Sequence, residues 1–423
     1  MQTEEATITK VMNNETKTQL QHREFMSLKD KHRVILKWAT GCGKSKMTIN
    51  LINHSLNFYD RMARVLFVVA ERAHINNWEE EFSKWNLLRN HVSTDVICYA
   101  SLKNYNHYVY DIVVFDEAHH LFTEKRMALA QELYGNMSNN THIFLLSATL
   151  SSSKVFMAEE IFGKFTTSTI TLKDAISGDI LPDPKVYVVA MELDDNIANQ
   201  TIEVRKGSNA MVVDWEHRNK FKFKNTPYTI KCTQKQKNIW FTNEMEYWKQ
   251  RYELSHNQFH HNYWVNLGSR RKRFLGELKT NAVKKLIANL PKNNRFVCFC
   301  ASVDQANSLD YVNTISSRRP AKSNQLIIDK FNSRKINRIY AVGMITEGMN
   351  LTDIQTGIIV QLDGKERLFV QKFGRSLRAE DPVTFIFYYK DTQDEVYLKT
   401  ALENIDSKYV QHININQINS IKL

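Results

Sequence analysis

The sequence predicts an α/β protein made of two parallel-sheet lobes in tandem, with a mixed, partly helical connecting segment. Three observations predict this class. Short apolar runs alternate with amphipathic, helix-like segments up to about residue 179, and a second alternation starts near residue 279. A length of 423 residues suits two or three domains, and 43% hydrophobic residues can fill their cores. The 13 Gly and 6 Pro leave little room for long flexible linkers.

We divide the chain into four regions on this pattern. They are a polar N-terminal arm at 1–16, a first lobe at 17–181, a connecting or accessory segment at 182–276 and a second lobe at 277–423. In the first lobe we expect strands at 65–69, 96–99, 112–116 and 143–147, and a helix at 75–85.

The connecting segment has a different character from the two lobes. We expect strands at 187–193 and 201–204 and an aromatic-bearing helix at 234–252. The second lobe returns to the α/β pattern. Its expected strands are 296–300, 339–342, 358–362 and 384–389, and its expected helices are 281–290, one beginning near 303, and 394–408.

A glycine-containing turn follows the apolar run 34–36 and precedes the helix-like stretch 47–56. Backbone N–H groups of such a turn point at phosphate oxygens, the Lys44 ammonium reaches the outer phosphates, and the Ser45 hydroxyl can ligate Mg²⁺. Trp38 stands where the strict pattern has its first Gly, so an ordinary turn with an unrelated Lys is the alternative. The predicted phosphate-binding residues are Thr40, Gly41, Cys42, Gly43, Lys44 and Ser45.

Two acidic residues, Asp116 and Glu117, follow the continuous apolar run 112–115. Such a run is typical of a fully buried parallel strand, and ligands bind at the carboxyl ends of these strands. We therefore expect Asp116 to hold Mg²⁺ through water and Glu117 to act as the base for an attacking water. A solvated helix start is the alternative.

The order of the motifs resembles that of the superfamily 2 helicases and translocases of the DEAH type, from residue 17 nearly to the C-terminus. The segments 77–82, 99–102 and 175–181 are similar to type III restriction-like, phage repair and remodelling helicases. The resemblance implies two RecA-like lobes that bind ATP and Mg²⁺ between them. Its further matching positions are Gln19, Gln21, Asp116 to His119, Ser147 to Thr149, Glu347, Gly348, Asn350, Gln371, Gly374, Arg375 and Arg378.

The resemblance also implies roles for residues of both lobes. Gln21 would read the adenine, and Gly348 would belong to the nucleotide site. Gln371 would belong to the catalytic set, with Arg375 and Arg378 as arginine fingers on the γ-phosphate. A surface Arg pair at i and i+3 of an amphipathic helix is the alternative. Asn350 stands where relatives often have Asp.

Further residues are expected to couple hydrolysis to lobe movement or to contact a nucleic-acid backbone. Each contact residue follows an apparent strand, and each can instead be an ordinary turn or cap residue. The expected coupling residues are His119, Ser147, Ala148 and Thr149. The expected nucleic-acid contacts are Arg72, Ser101, Ser302 and Thr346.

Charge indicates a polyanionic partner, because 57 Lys and Arg against 45 Asp and Glu leave a formal charge of +12. The basic and aromatic stretches 220–224 and 270–273 can track a phosphate backbone, or can be a solvated connector over a small helical core.

No apolar run is long enough to cross a bilayer and the N-terminus lacks a signal-like region, so we expect a cytoplasmic protein without a membrane partner. The five cysteines include no CxxC pair.

The sequence therefore predicts an ATP-dependent helicase or translocase acting on nucleic acid, with DNA favoured. Three alternatives remain open. They are an RNA helicase, a duplex-DNA remodelling or annealing motor that does not unwind, and a catalytically silent nucleic-acid-binding subunit.

Overall fold

The computed structural model of the protein describes residues 16–204, 228–343, 351–364, 373–374, 379–403 and 405–421. Two large parallel sheets, of six and seven strands, confirm the predicted class of two α/β lobes. None of the helices in these described ranges combines the length and apolar character that a membrane crossing requires.

The first lobe is a six-stranded sheet with helices around it. Its strands are β1 (Arg33–Trp38), β2 (Ala63–Val69), β3 (Val92–Cys98), β4 (Ile112–Phe115), β5 (His142–Leu146) and β6 (Thr166–Ile170). Its helices are α1 (Lys17–Leu28), α2 (Lys44–Ser55), α3 (Arg72–Lys84), α4 (Glu124–Gly135), α5 (Ser152–Phe162) and α6 (Leu172–Ser177). The strand order is β3-β2-β4-β5-β1-β6, and every pairing is parallel.

Burial explains the apolar runs of this lobe. Every residue of β4 and β5 is buried, as expected for central strands covered on both faces. Helix α3 is amphipathic, and Trp78 and Phe82, four residues apart, pack its inner face against Phe67 of β2. The sheet therefore fixes the position of α3 relative to the ends of β2 and β4.

The second lobe has a seven-stranded sheet. Its strands are β7 (Lys185–Met191), β10 (Phe296–Phe299), β11 (Thr314–Ile315), β12 (Arg338–Ala341), β13 (Thr356–Ile359), β14 (Val383–Tyr389) and β15 (Val410–Asn414). Their order is β11-β12-β10-β13-β14-β7-β15, again with parallel pairing throughout.

Strand β7 departs from the predicted organisation. The strand expected at 187–193 inside the connecting segment is part of the second sheet, where Lys185 pairs with Val383 and Met191 pairs with Tyr389. On its other side β7 pairs with β15. The segment 182–276 therefore contributes a strand to the second lobe. Hydrophobic periodicity marks a strand but does not say which sheet it joins.

The rest of the connecting segment forms a strand pair and a long helical hairpin. The pair consists of β8 (Gln200–Val204) and β9 (Tyr228–Cys232), which run antiparallel. The hairpin consists of α7 (Gln234–Ser255) and α8 (Gln258–Leu278). Trp240, Phe241 and Phe274 lie in the small core beneath them.

The basic residues 270–273 lie in helix α8, and their side chains differ in exposure. Arg270 and Arg273 are exposed, whereas Arg271 is buried and donates to the Thr242 hydroxyl and to Gln393 Oε1, both at 3.2 Å. Because consecutive helical residues point about 100° apart, four adjacent cations cannot share one face. The stretch 220–224 lies outside the described residues.

The remaining helices of the second lobe are α9 (Thr280–Asn289), α10 (Val303–Asp310), α11 (Ala321–Asn332) and α12 (Gln393–Leu402). The closing helix predicted at 394–408 ends earlier, at Leu402.

A fully buried ion pair joins the hairpin to this lobe. Lys279, between α8 and α9, places Nζ 2.6 Å from Asp394 Oδ2, and neither side chain is exposed. Lys279 Nζ also donates to the carbonyl oxygens of Val360 and Phe387, and Gln361 Nε2 donates to Asp394 Oδ1. Burial lowers the pKa of Lys279, and the charge of Asp394 opposes that shift.

We expect Lys279→Ala to lower the free energy of unfolding by about 3 to 5 kcal/mol, because it leaves the Asp394 carboxylate buried without its cation. Chemical denaturation measures the change. The matched control is Lys272→Ala, which breaks the partly exposed ion pair at 3.2 Å to Asp363. The control should lose less than about 1 kcal/mol. Equal losses of unfolding free energy in Lys279→Ala and Lys272→Ala would contradict the claim that burial makes the Lys279–Asp394 pair the more important one.

Candidate nucleotide site

The phosphate loop, residues 40–45, connects β1 to α2. Gly41 and Gly43 have φ values of 92° and 95°, in the left-handed region that glycine adopts readily. No side chain caps the N-terminus of α2, where Gly43 is the capping residue. The free N–H groups of a first helical turn and the helix dipole together attract an anion. The loop therefore has the backbone geometry of a phosphate cradle.

The side chains around this loop close it from the N-terminal side. Gln21 is buried, and its Nε2 donates to the Cys42 carbonyl at 2.9 Å. A Cβ atom at Gly43 would overlap the Gln21 amide. Lys17 Nζ donates to the Gly41 carbonyl at 2.6 Å, and Lys44 Nζ donates to the Trp38 carbonyl at 2.8 Å. Ser45 is the second residue of α2 and is half-buried.

Trp38 explains the departure from the strict glycine pattern. It is the last residue of β1, fully buried, and its indole N–H donates to the Ser168 hydroxyl of β6 at 2.8 Å. The turn begins only after this residue. A glycine at position 38 is therefore not needed to form the loop.

Asp116 lies at the carboxyl end of β4. Its Oδ1 accepts from the Glu117 backbone N–H and its Oδ2 accepts from the Trp78 indole N–H, both at 2.9 Å. Burial raises the pKa of Asp116, and the negative charge of Glu117 adds to the rise. The Tyr99 hydroxyl donates to the Asp116 carbonyl at 3.1 Å. Hydrogen bonds therefore fix both the side chain and the backbone of Asp116.

Glu117 has a left-handed backbone, with φ 45°, which turns the chain sharply out of the strand. Its Oε2 lies 3.3 Å from Nδ1 of buried His119. A non-glycine residue with positive φ carries strain, and such strain is concentrated at functional sites. The Glu117 carboxylate lies beside His119, whereas the Asp116 carboxylate bonds to Trp78.

The tripeptide Ser147-Ala148-Thr149 follows β5 directly. The Ser147 N–H donates to the Leu36 carbonyl of β1 at 3.1 Å, so the segment lies beside the strand that leads into the phosphate loop. The Ser147 hydroxyl donates to the Thr149 carbonyl at 3.0 Å. The tripeptide is therefore a compact turn at the same edge of the sheet, and its coupling role stays a prediction.

The second lobe meets the phosphate loop through Gly374. A Cβ atom at this position would lie 2.9 Å from Thr40 Cβ and 3.6 Å from the Thr40 carbonyl oxygen. Phe373 and Gly374 are both buried. The predicted site residues Thr346, Gly348, Gln371, Arg375 and Arg378 lie outside the described residues, as do Glu347 and Asn350.

The residues expected to contact nucleic acid differ in their exposure and hydrogen bonding. Arg72 is exposed at the start of α3, and Ser101 is half-buried in the helical turn Tyr99–Asn104. Ser302 is buried, accepts from the Gln305 N–H as the N-cap of α10 and donates to Glu277 Oε1 at 2.8 Å. In this conformation the Ser302 hydroxyl makes its bonds within the protein. These contact roles stay predictions.

Three residues near Asp116 were not identified from the sequence. They are His74, Trp78 and Tyr99; Trp78 and Tyr99 bond to Asp116, and His74 Nδ1 lies 4.0 Å from its Oδ2. Trp78 and Tyr99 lie in the helicase-like segments 77–82 and 99–102, but that resemblance assigned them no contact, and their aromatic side chains predict core packing. A polar tip on a core aromatic residue is the one signal that points to a buried partner.

Two family models match the chain. The model described as type III restriction enzyme, res subunit, matches residues 3–109, and the model described as helicase conserved C-terminal domain matches residues 278–380. The first match covers the phosphate loop and α3, and the second covers most of the second lobe. These matches support a superfamily 2 helicase related to type III restriction-like enzymes.

Solved structures share the fold of this protein at low sequence identity. S. cerevisiae Dbp5 bound to RNA and ADP BeF3 has a TM-score of 0.60 and 11% identity over 95% of this chain and 90% of its own. The Pyrococcus furiosus Hef helicase domain has a TM-score of 0.51 and 14% identity over 90% and 97%. The two sheets are thus tandem RecA-like lobes.

A larger enzyme also contains this fold. The type ISP restriction-modification enzyme LlaBIII bound to DNA has a TM-score of 0.55 and 12% identity, covering 94% of this chain and 31% of that enzyme. None of the curated protein sequences matches the chain.

We expect Gly374→Ala to lower the free energy of unfolding by about 1 to 3 kcal/mol, because the added methyl group overlaps Thr40 and forces the two segments apart. Differential scanning calorimetry measures the change. The matched control is Gly135→Ala at the end of α4, where an added Cβ meets nothing within 4 Å. A variant at position 374 as stable as this control would show that the close approach is not maintained.

Proposed function

We propose that the protein is an ATP-dependent DNA helicase or translocase. ATP binds on the phosphate loop of the first lobe, and the second lobe completes the site with Arg375 and Arg378. Hydrolysis then lets the lobes separate. Repeated cycles of binding and hydrolysis move the protein along a nucleic-acid strand.

The approach of Gly374 to Thr40 is the observation that carries this proposal. It brings a second-lobe segment against the loop whose backbone suits a phosphate. Arg375 and Arg378 follow Gly374 in the sequence. Charge spreads over the γ-phosphoryl oxygens as the bond to ADP breaks, and guanidinium groups can stabilise it with paired hydrogen bonds.

The described residues suit a nucleotide with its metal. The uncapped N-terminus of α2 suits phosphate oxygens, and Gln21 lies against the loop, where it can meet the base. Ser45 and Asp116 are hard oxygen donors of the kind that Mg²⁺ prefers, with Asp116 acting through water. When bound, Mg²⁺ neutralises negative charge on the phosphates.

The hydrolytic step needs a base and cations from the protein. Glu117 takes a proton from water as the water oxygen attacks the γ-phosphorus, and the bond from phosphorus to the ADP oxygen breaks. Lys44 stabilises charge on the outer phosphates. His119, 3.3 Å from Glu117, and the turn at Ser147 link this step to the lobe interface.

Charge and family support DNA as the track. The formal charge of +12 favours a polyanion. The match to the res subunit of type III restriction enzymes favours DNA, and LlaBIII was solved with DNA bound. Dbp5 was solved with RNA bound, so an RNA helicase is the second candidate.

We expect Glu117→Gln to retain ATP binding while lowering turnover about 10²- to 10⁴-fold, because the amide keeps the shape of the side chain but cannot accept the proton. Equilibrium binding of a fluorescent ATP analogue and steady-state phosphate release measure the two effects. Glu80→Gln, at an exposed position of α3, is the matched control and should change neither. Unchanged turnover in Glu117→Gln would remove this residue from the base role.

A panel of nucleic acids separates the candidate functions. ATP hydrolysis is measured with duplex DNA, single-stranded DNA and RNA, and strand displacement is then measured on the best activator. We expect DNA to stimulate most, with Lys44→Ala inactive throughout. Strongest stimulation by RNA indicates the RNA helicase, and stimulation without displacement indicates a remodelling motor. Full cellular function of Lys44→Ala indicates a silent binding subunit.

A further inference from the structure

Two side chains of helix α3, His74 and Trp78, lie near Asp116, and Trp78 donates a hydrogen bond to its carboxylate. The Trp78 ring lies 4.7 Å from the Phe67 ring and 5.8 Å from the Phe82 ring, measured between centroids, and only 3% of the residue is exposed. Packing therefore fixes the indole plane. Its N–H points to Asp116 Oδ2 at 2.9 Å.

This bond orients the Asp116 carboxylate without using up its capacity to accept. Each carboxylate oxygen has two lone-pair sites, so Oδ2 can accept from the indole and from a metal-bound water together. Oδ1 is oriented in turn by the Glu117 N–H. With a donor on each oxygen, rotation of the carboxylate would break one hydrogen bond or both.

We propose that Trp78 is a positioning residue that holds Asp116 in the orientation required for Mg²⁺-dependent nucleotide binding. The inference rests on the proposed function, since it takes Asp116 as the carboxylate that holds the metal through water. Partners that orient metal-binding side chains in this way strengthen the grip on the metal without touching it.

The same helix offers a matched control. Trp85 directly follows α3, is half-buried, and its indole N–H donates to Glu81 Oε2 at 2.7 Å. Trp85→Phe and Trp78→Phe both remove an indole donor from a carboxylate. Only Trp78→Phe removes it from Asp116.

The experiment measures binding of a fluorescent ADP analogue to the full chain with and without Mg²⁺. We expect Trp78→Phe to raise the half-saturating Mg²⁺ concentration roughly tenfold, the lower end of the effect of removing such a partner. Affinity without Mg²⁺ should be unchanged, because the phosphate loop is intact. Trp85→Phe should match the wild type in its half-saturating Mg²⁺ concentration and in its affinity without Mg²⁺. Trp78→His, which restores a ring N–H, should recover part of the loss.

Identical Mg²⁺ dependence in Trp78→Phe, Trp85→Phe and the wild type would overturn the inference while leaving the proposed function intact. A wild type whose nucleotide binding ignores Mg²⁺ would overturn the proposed function and the inference with it. If Trp78→Phe does not fold, ¹⁵N-indole spectra of the wild type decide. The Trp78 N–H resonance, assigned with Trp78→His or by nuclear Overhauser contacts to Phe67, should shift when Mg²⁺ joins ADP, and an unmoved resonance overturns the inference.

Discussion

Parallel strand pairing is the constraint on which this architecture depends. In the first lobe β4, β5 and β1 are neighbours, and parallel pairing brings their carboxyl ends to one edge. Asp116, Ser147 and the phosphate loop follow these three strands. Adjacent strands lie about 4.8 Å apart, so segments more than a hundred residues apart in sequence meet within the span of one nucleotide. Specific chemistry then needs only short side chains at the strand ends.

Concentrating polar groups at that edge obliges the protein to satisfy them inside its core. In the first lobe aromatic residues do so, since Trp78 and Tyr99 are apolar for most of their surface and present one polar atom to Asp116. In the second lobe Lys279 and Asp394 neutralise each other and share their remaining bonds with backbone carbonyls and Gln361. The aromatic hydrogen bonds in the first lobe and the buried ion pair in the second lobe both attach helices to the sheet edge.

Much of this was predictable, because continuous apolar runs and glycine turns are local signals. The buried strand β4, the helix after the phosphate loop and the class of both lobes follow from patterns within ten residues. Contacts between distant segments left no such signal. Nothing in the sequence near Lys279 indicates that its partner is Asp394, and the indole of Trp78 looks like any core aromatic until Asp116 is placed beside it. The basic run at 270–273 shows a different limit, because residues adjacent in sequence point in different directions on a helix, and Arg271 bonds inside the protein.

The placement of β7 between β14 and β15 has a consequence for biosynthesis. The first lobe can complete its sheet once residue 170 has left the ribosome, whereas β7 must wait for partners that begin about two hundred residues later, at Val383. During that interval its edge is open to incorrect strands, and closing so long a loop slows folding. Nascent chains of this protein thus have a prolonged period in which an exposed β-edge invites chaperone capture or aggregation.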